Sequence, residues 1–370
     1  MAPDRTLRIG IVFGGQSAEH EISILSARNV LAALDRSRFE PVLIGIDKQG
    51  RWLRQDEQRL LAGARDPRLV RIETGAPLRN PLALAGPDGS NASSDGGIDV
   101  AFVVMHGTHG EDGAMQGLFE VAGIPYVGAG VLGSAIGMDK DVMKRLLRDA
   151  GIPVAAFRTI RRHRFDADPN AVCADLAPLG YPLFTKPANA GSSVGVRKVA
   201  AHEQLAEAIR HAFQFDDKVI VEAAVVGREI ELAVLDGDPA TVSVAGEIVV
   251  EHPDGFYSYD AKYLDEKGAR LELPARITAA ELARAQAVAL QSFEVLECEG
   301  MARVDLFLKG DGEILVNEIN TIPGFTAISM YPKLWALSGV SASELVSRLI
   351  DLAVTRGRRR AGLGRSFLPS

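Results

Sequence analysis

An α/β fold, α+β in part, follows from two observations. Short apolar runs alternate with helix-period segments through the first third of the chain, and the last third contains two alternating apolar/polar segments joined by a Gly-containing turn. The first pattern predicts a parallel, helix-covered sheet. The second predicts an antiparallel hairpin.

Leu7 to Phe13 is a near-continuous apolar run ended by Gly14-Gly15, as a strand covered on both faces requires. Glu19 to about Leu34 carries the helical period, Pro41 to Ile46 is a second strand, Val100 to Met105 a third apolar run, and Ala114 to Val121 reads as helix. Residues from about Arg51 to Gly97 break that rhythm and include a Gly/Ser/Asn/Asp-rich stretch at 86–97, an insertion with an exposed loop.

Beyond it, Asp139 to Ala150 is a basic amphipathic helix. Pro182 to Lys186 and Val219 to Glu222 are strands, with a helix from His202 to Phe213 between them. Thr278…Glu281 and Ser341…Glu344 each fit a capping box opening a long helix, the second expected to end near Thr355. The arginines at 358–360 read as a frayed, solvated tail.

Met301-Ala302-Arg303-Val304-Asp305 and Val316-Asn317-Glu318-Ile319-Asn320-Thr321 flank the turn Lys309-Gly310-Asp311-Gly312. Side chains two apart share one face of a strand. With suitable register, Arg303, Asp305, Glu318 and Asn320 share a face, and Val304, Leu306, Ile319 and Val316 supply the buried one. Hard oxygen donors with no His or Cys suit Mg²⁺, which binds through one or two carboxylates plus substrate phosphates. A phosphorylated nucleotide is the implied partner.

With 370 residues and 47% hydrophobic content, the chain suggests two or three domains with ample material for packed cores. A net charge of −7 argues against a general affinity for nucleic acid or an anionic membrane. Cys173 and Cys298 cannot form a disulfide framework and have no metal-ligand spacing. Without a signal-like N-terminus or a membrane-length apolar run, the expected location is the cytoplasm.

Lys186-Pro187-Ala188-Asn189-Ala190-Gly191-Ser192-Ser193-Val194-Gly195 follows a strand and offers small residues, main-chain N–H groups and two hydroxyls. It is a candidate phosphate-cover loop and lacks the spacing of a P-loop. Lys140 and Lys186 could neutralise phosphate charge, while Glu222 and Glu229 could accept from an adenine amino group and ribose hydroxyls. Gly128-Ala129-Gly130-Val131-Leu132-Gly133 formally matches the dinucleotide fingerprint, but a basic helix occupies the place of the required second strand. We read it as a turn joining two domains.

These residues together resemble the D-alanine–D-alanine ligase family of the ATP-grasp superfamily, over nearly the whole chain. The likeness is carried by Gly14 to Ser23, His106-Gly107 with Gly110 to Gly113, Met138-Asp139-Lys140, Lys186 to Gly195, Ala261-Lys262-Tyr263, and the Arg303/Asp305/Glu318/Asn320 set. The resemblance implies an N-terminal parallel-sheet domain (1–138, with the insertion at about 51–97) that binds the first D-alanine. A central ATP-grasp subdomain (139–225) and a C-terminal one (226–370), the latter bearing metal and catalytic residues, complete the expected three-domain architecture.

It also implies the reaction. ATP phosphorylates one D-alanine, a second attacks the acyl phosphate, and D-alanyl-D-alanine, ADP and phosphate are released for peptidoglycan precursor synthesis. By that resemblance Asp305, Glu318 and Asn320 hold two Mg²⁺ ions, with Mn²⁺ as the alternative ion, and Lys140, Lys186, Ser193 and Lys262 face the nucleotide. Arg303 and the N–H of Gly324 stabilise the transition-state oxygens. Glu19, linked to Ser192 and Tyr263 with His106 nearby, holds the first ammonium, and Ser329 the second carboxylate. Lys262-Tyr263 favours an amine acceptor.

A homodimer is expected on the same ground. Departures are Ala190, where relatives often carry a charge, and Ala224-Val225, where a bulky aromatic is common. The competing expectations are a D-alanyl ligase using D-serine or D-lactate, a nucleotide sensor without turnover, and an NAD-dependent dehydrogenase built on Gly128 to Gly133.

Overall fold

The computed structural model describes residues 5–63, 66, 69–73, 75–78, 97–251 and 268–364. The expected loop at 86–96 and the segment containing Lys262 and Tyr263 lie outside the described residues.

The first sheet contains β1 (Leu7–Gly14), β2 (Phe39–Ile46), β3 (Trp52–Arg54) and β4 (Val100–Val103) in the order β3-β2-β1-β4. β2 and β4 flank β1 in parallel, and β3 closes one edge in antiparallel sense. Ile9, Ile11, Val12 and Phe13 of β1 are all inaccessible, because helices cover the sheet. α1 (His20–Ala33) follows β1, α2 (Glu57–Ala62) follows β3 within the insertion, and α3 (Ala114–Ala122) follows β4.

α4 (Val131–Met138) and α5 (Lys140–Asp149) lead to the second sheet. Its elements are β5 (Phe157–Arg161), α6 (Arg162–Ala167), α7 (Pro169–Leu176), β6 (Leu183–Pro187), β7 (Arg197–Val199), α8 (His202–Ala212) and β8 (Lys218–Ala223). The strands run antiparallel in the order β5-β8-β6-β7.

The third sheet, also antiparallel, holds β9 (Arg228–Leu235), β10 (Thr241–Val250), β11 (Ala269–Glu272), β12 (Met301–Leu308) and β13 (Ile314–Asn320). Its order is β11-β10-β9-β12-β13. α9 (Ala279–Val295) opens with both halves of the expected Thr278/Glu281 capping box. α10 (Met330–Leu337) and α11 (Ala342–Ala361) end the described chain.

Three cores result. Met143 and Leu147 of α5 pack with Val304, Val316 and Ile319 of the third sheet and with Phe293 of α9. The second sheet packs against α7 and α8 through Leu176, Leu183, Leu205, Ile209 and Val221. Around the first sheet, Tyr331 and Trp335 of α10 and Leu345, Leu349 and Ile350 of α11 join Ile9, Ile11 and Phe102 in one cluster.

Three expectations about the last helix are corrected. α11 continues past Thr355 to Ala361, and only the Ser341 half of its capping box forms, with Ser341 accepting from the Glu344 N–H. Arg358 to Arg360 are therefore helical rather than a frayed tail. Arg360 pairs with Glu120 and Glu299, and Arg359 pairs with Glu299, which offsets the like charge. Arg356 is buried, donating to the carbonyls of Gly128 at 2.6 Å and Tyr126 at 2.5 Å.

The stretch Gly128 to Gly133 is also more than a turn, since Gly130 caps α4, which opens at Val131. Its glycines answer to packing. A Cβ on Gly133 would sit 2.3 Å from the Glu297 carbonyl oxygen. A second helix, α5, follows at once, so the chain has no βαβ unit here and the dinucleotide fingerprint is formal only.

Candidate active site

The hairpin pairs as its alternation requires. Arg303 lies opposite Asn320 and Asp305 opposite Glu318, while Val304, Leu306, Ile319 and Val316 are buried behind them. A bulge makes this possible. Leu306 pairs with Val316, so Asn317 is the extra residue that keeps both Val316 and Ile319 on the apolar side.

β9 extends the polar row, because Glu231 pairs with Asp305 on the other side of β12. Three carboxylates, Glu231, Asp305 and Glu318, thus occupy matching positions on adjacent strands. The Arg303 guanidinium grips Asp305 in a fork, with Nε and Nη2 each 2.7 Å from a carboxylate oxygen, and Nε lies 3.0 Å from Glu231 Oε2.

Opposite this face stand the lysines. Asp139 caps α5 by accepting from the N–H groups of Asp141 and Val142 at 3.1 Å, which sets Lys140 in the first turn. Lys140 Nζ donates to the Ala190 carbonyl at 2.7 Å and lies 3.4 Å from Glu318 Oε2, joining the candidate phosphate loop to the carboxylate row. Lys186 pairs with Glu222 and reaches Asn317 Oδ1 at 3.4 Å.

Lys144, not foreseen from sequence, pairs with the same Glu222 carboxylate at 3.2 Å and donates to the Asn317 carbonyl at 3.1 Å. Its signal was its spacing, one helical turn beyond Lys140 on α5. Burial works to raise the Glu222 carboxyl, but the Lys144 and Lys186 ammoniums outweigh it and hold its pKa down to about 2. Burial likewise opposes the charge of Lys186, yet Glu222, Glu318 and Glu229 keep its pKa above the usual value.

The loop after β6 lies against the N-terminus of α1. Ser192 and Ser193 both adopt left-handed backbone, φ 48° and 58°, a conformation costing of order 1 kcal/mol per residue. Ser192 Oγ donates to Glu19 Oε1. A Cβ on Gly191 would stand 2.7 Å from Glu19 Oε2, so any larger residue here displaces that carboxylate. Glu19 is the N-cap residue of α1, although its side chain makes no cap hydrogen bond.

His106 is buried behind this corner. Its Nδ1 is 3.0 Å from the Ile322 carbonyl and its Nε2 3.0 Å from Ser26 Oγ, so both ring nitrogens are engaged within the protein. Ser329 is the N-cap residue of α10 without a side-chain cap bond, and its hydroxyl instead meets Thr326, whose N–H it accepts at 3.0 Å and whose Oγ1 is 2.7 Å from its own. A Cβ on Gly324 would fall 2.7 Å from Ser329 Oγ.

The structure therefore brings together Glu19 with Ser192, Lys140 with Glu318, Lys186 with Glu222, Arg303 with Asp305, and Gly324 with Ser329. Among the described residues no group of three or more His, Cys, Asp or Glu forms a metal cluster. The donor set that fits a hard divalent cation is instead Asp305 and Glu318 with the Asn320 amide, on one face, with Lys140 the cation already beside Glu318. No helix among the described residues is long and apolar enough to cross a membrane.

A carboxylate row facing lysines from α5 and β6, under a small-residue loop, is the arrangement of an ATP-grasp ligase, a fold in which two α+β units hold ATP. Two family models match the chain, D-ala D-ala ligase N-terminus over residues 8–129 and D-ala D-ala ligase C-terminus over residues 146–351. D-alanine–D-alanine ligase A of Chromobacterium violaceum is 52% identical over 365 residues, covering 97% of this chain and 98% of that protein.

Among solved structures, the D-alanine–D-alanine ligase from Coxiella burnetii aligns with TM-score 0.79 at 35% identity, covering 96% of each chain. The VanG D-Ala:D-Ser ligase from Enterococcus faecalis aligns with TM-score 0.77 at 35% identity, covering 94% of this chain and all of the other. The chain belongs to the D-alanine–D-alanine ligase family.

Proposed function

We propose that this chain joins two D-alanines into D-alanyl-D-alanine through a D-alanyl phosphate, consuming ATP, for peptidoglycan precursor synthesis. One observation carries the reading. Arg303, Asp305, Glu318 and Asn320 share a face, directly in front of Lys140. Phosphoryl transfer to a carboxylate crowds anions, so cations and fixed donors rather than a protein nucleophile must do the work.

In this reading Asp305, Glu318 and Asn320 hold Mg²⁺, two ions with Mn²⁺ as the substitute. When bound, the metal neutralises phosphate charge and orients the transferring group. Lys140 and Lys186 take the phosphates under the Ser192–Ser193 loop, with Lys262 a third cation from the sequence resemblance. Glu222 and Glu229 address adenine and ribose. Glu19 receives the first ammonium, supported by Ser192 and, from the sequence resemblance, by Tyr263, and Ser329 takes the second carboxylate.

Arg303 and the Gly324 N–H stabilise the oxygen that gains charge when the second amine attacks. His106 belongs behind the substrates as a positioning group, given that both its nitrogens are spent on Ser26 and Ile322. A cytoplasmic homodimer, divided as 1–138, 139–225 and 226–370, completes the proposal.

The test is ADP release coupled to D-alanine, with L-alanine, D-serine and D-lactate as comparisons. Protein that binds ATP yet shows no D-alanine-dependent turnover overturns the reading. D-Serine as the preferred acceptor would favour the D-Ala:D-Ser ligase activity for which the Enterococcus faecalis neighbour is named.

A further inference from the structure

α1 carries Glu19 at its N-cap, and about two and about three turns later it presents Ser26 and Asn29 to a different segment. Asn29 Nδ2 donates to the Phe325 carbonyl at 2.8 Å, and Ser26 Oγ accepts the Phe325 N–H at 3.2 Å. Both bonds span nearly 300 positions of sequence, 296 for Asn29 and 299 for Ser26. Phe325 immediately follows Gly324.

His106 extends the chain of bonds. If its Nδ1–H donates to the Ile322 carbonyl, Nε2 is left as an acceptor for the Ser26 hydroxyl, whose oxygen then remains free to accept the Phe325 N–H. Nδ1 also lies 3.8 Å from the Glu111 carboxylate, on the side of the ring away from Ser26. Ile322 is held from its other side, its N–H donating to Asn320 Oδ1 at 3.2 Å, and Phe325 is packed edge-on against Phe102 with ring centroids 6.0 Å apart.

The segment 322–325 is thus pinned at both of its ends to α1 and to His106, and Gly324 lies inside the pinned stretch. We infer that Ser26, Asn29 and His106 are positioning residues for the Gly324 amide. They fix the oxyanion donor at a set distance from the Glu19 carboxylate that orients the first D-alanine. None of the three needs to touch substrate. The inference rests on the assignment of Gly324 as oxyanion donor made above.

Removing an oxyanion donor outright costs 10²–10³ in rate, and a displacement near 1 Å costs about 10². Loosening the frame belongs at or below that range. Ser26→Ala and Asn29→Ala should each lower kcat about ten- to hundredfold while leaving the KM for ATP within about threefold. The discriminating readout is affinity for a phosphinate mimic of the tetrahedral intermediate, measured with ADP and Mg²⁺ on the full chain. It should weaken by the same factor as kcat, whereas ADP affinity and the thermal midpoint with ADP stay near wild type.

Asn29→Asp removes the amide donor at constant size and should reproduce the Asn29→Ala loss. Equal phosphinate affinity in wild type, Ser26→Ala and Asn29→Ala overturns the inference, as does a kcat loss unaccompanied by weaker phosphinate binding. Absence of D-alanine turnover in the wild-type chain would instead count against the ligase reading, so the two failures are separate.

Discussion

Lys144 and Glu222 form an ion pair at 3.2 Å with side chains only 1% and 4% exposed, and Lys186 shares the same carboxylate. Removing one partner of a buried pair strands charge in a poor solvent. Lys144→Met should therefore cost about 2–4 kcal/mol of stability. A urea titration checks this through a lower midpoint at unchanged slope.

The same carboxylate makes the protein acid-sensitive. The pKa of Glu222 is depressed from 4.5 to about 2, so its contribution is fully present above 4.5 and is lost as pH falls through that window. Glu222→Gln should flatten the decline in thermal midpoint between pH 4.5 and 2. An unchanged slope would remove Glu222 from the account.

Glu231 completes the row of carboxylates around Arg303. Neutralising it lowers the negative potential at Asp305 and leaves Asp305 as the partner on which Arg303 leans, and both effects oppose cation binding. Glu231→Gln should raise the Mg²⁺ concentration for half-maximal turnover about fivefold, equivalent to roughly 1 kcal/mol. A magnesium titration at saturating D-alanine and nucleotide reads it directly.

Gly191→Ala places a methyl group 2.7 Å from the Glu19 carboxylate and should swing that carboxylate away from Ser192. The expected outcome is a KM for the first D-alanine raised about tenfold, by the cost of losing one charge-assisted hydrogen bond between Ser192 and Glu19. Steady-state kinetics at two D-alanine sites separates this from an effect on the acceptor.

Gly133→Ala tests the reading of the glycine motif. A Cβ 2.3 Å from the Glu297 carbonyl forces α4 off its neighbour, an overpacking cost of about 1–3 kcal/mol. Nicotinamide nucleotide binding by the wild-type chain, followed by fluorescence, would oppose the packing explanation.

Much of this site could be read from side-chain alternation alone. The face shared by Arg303, Asp305, Glu318 and Asn320 follows from the period of a strand, and Lys140 from its place at a helix start. The parts that escaped depend on register between distant segments. Asn317 enters the site because a bulge inserts it, Glu231 because β9 happens to pair with β12, and Lys144 because α5 packs against the third sheet. α11 runs past the point where its local sequence suggests an end because Arg359 and Arg360, solvated charge when read alone, meet Glu120 and Glu299 from distant segments.

α11 packs Leu345, Leu349 and Ile350 into the cluster built around β1 and β4, and its Arg356 clasps Tyr126 and Gly128. The sheet that is synthesised first therefore waits for the helix synthesised late before its hydrophobic surface is sealed. Contacts so far apart in sequence slow folding, and during that interval the nascent N-terminal layer is exposed to chaperones and to other unfinished chains.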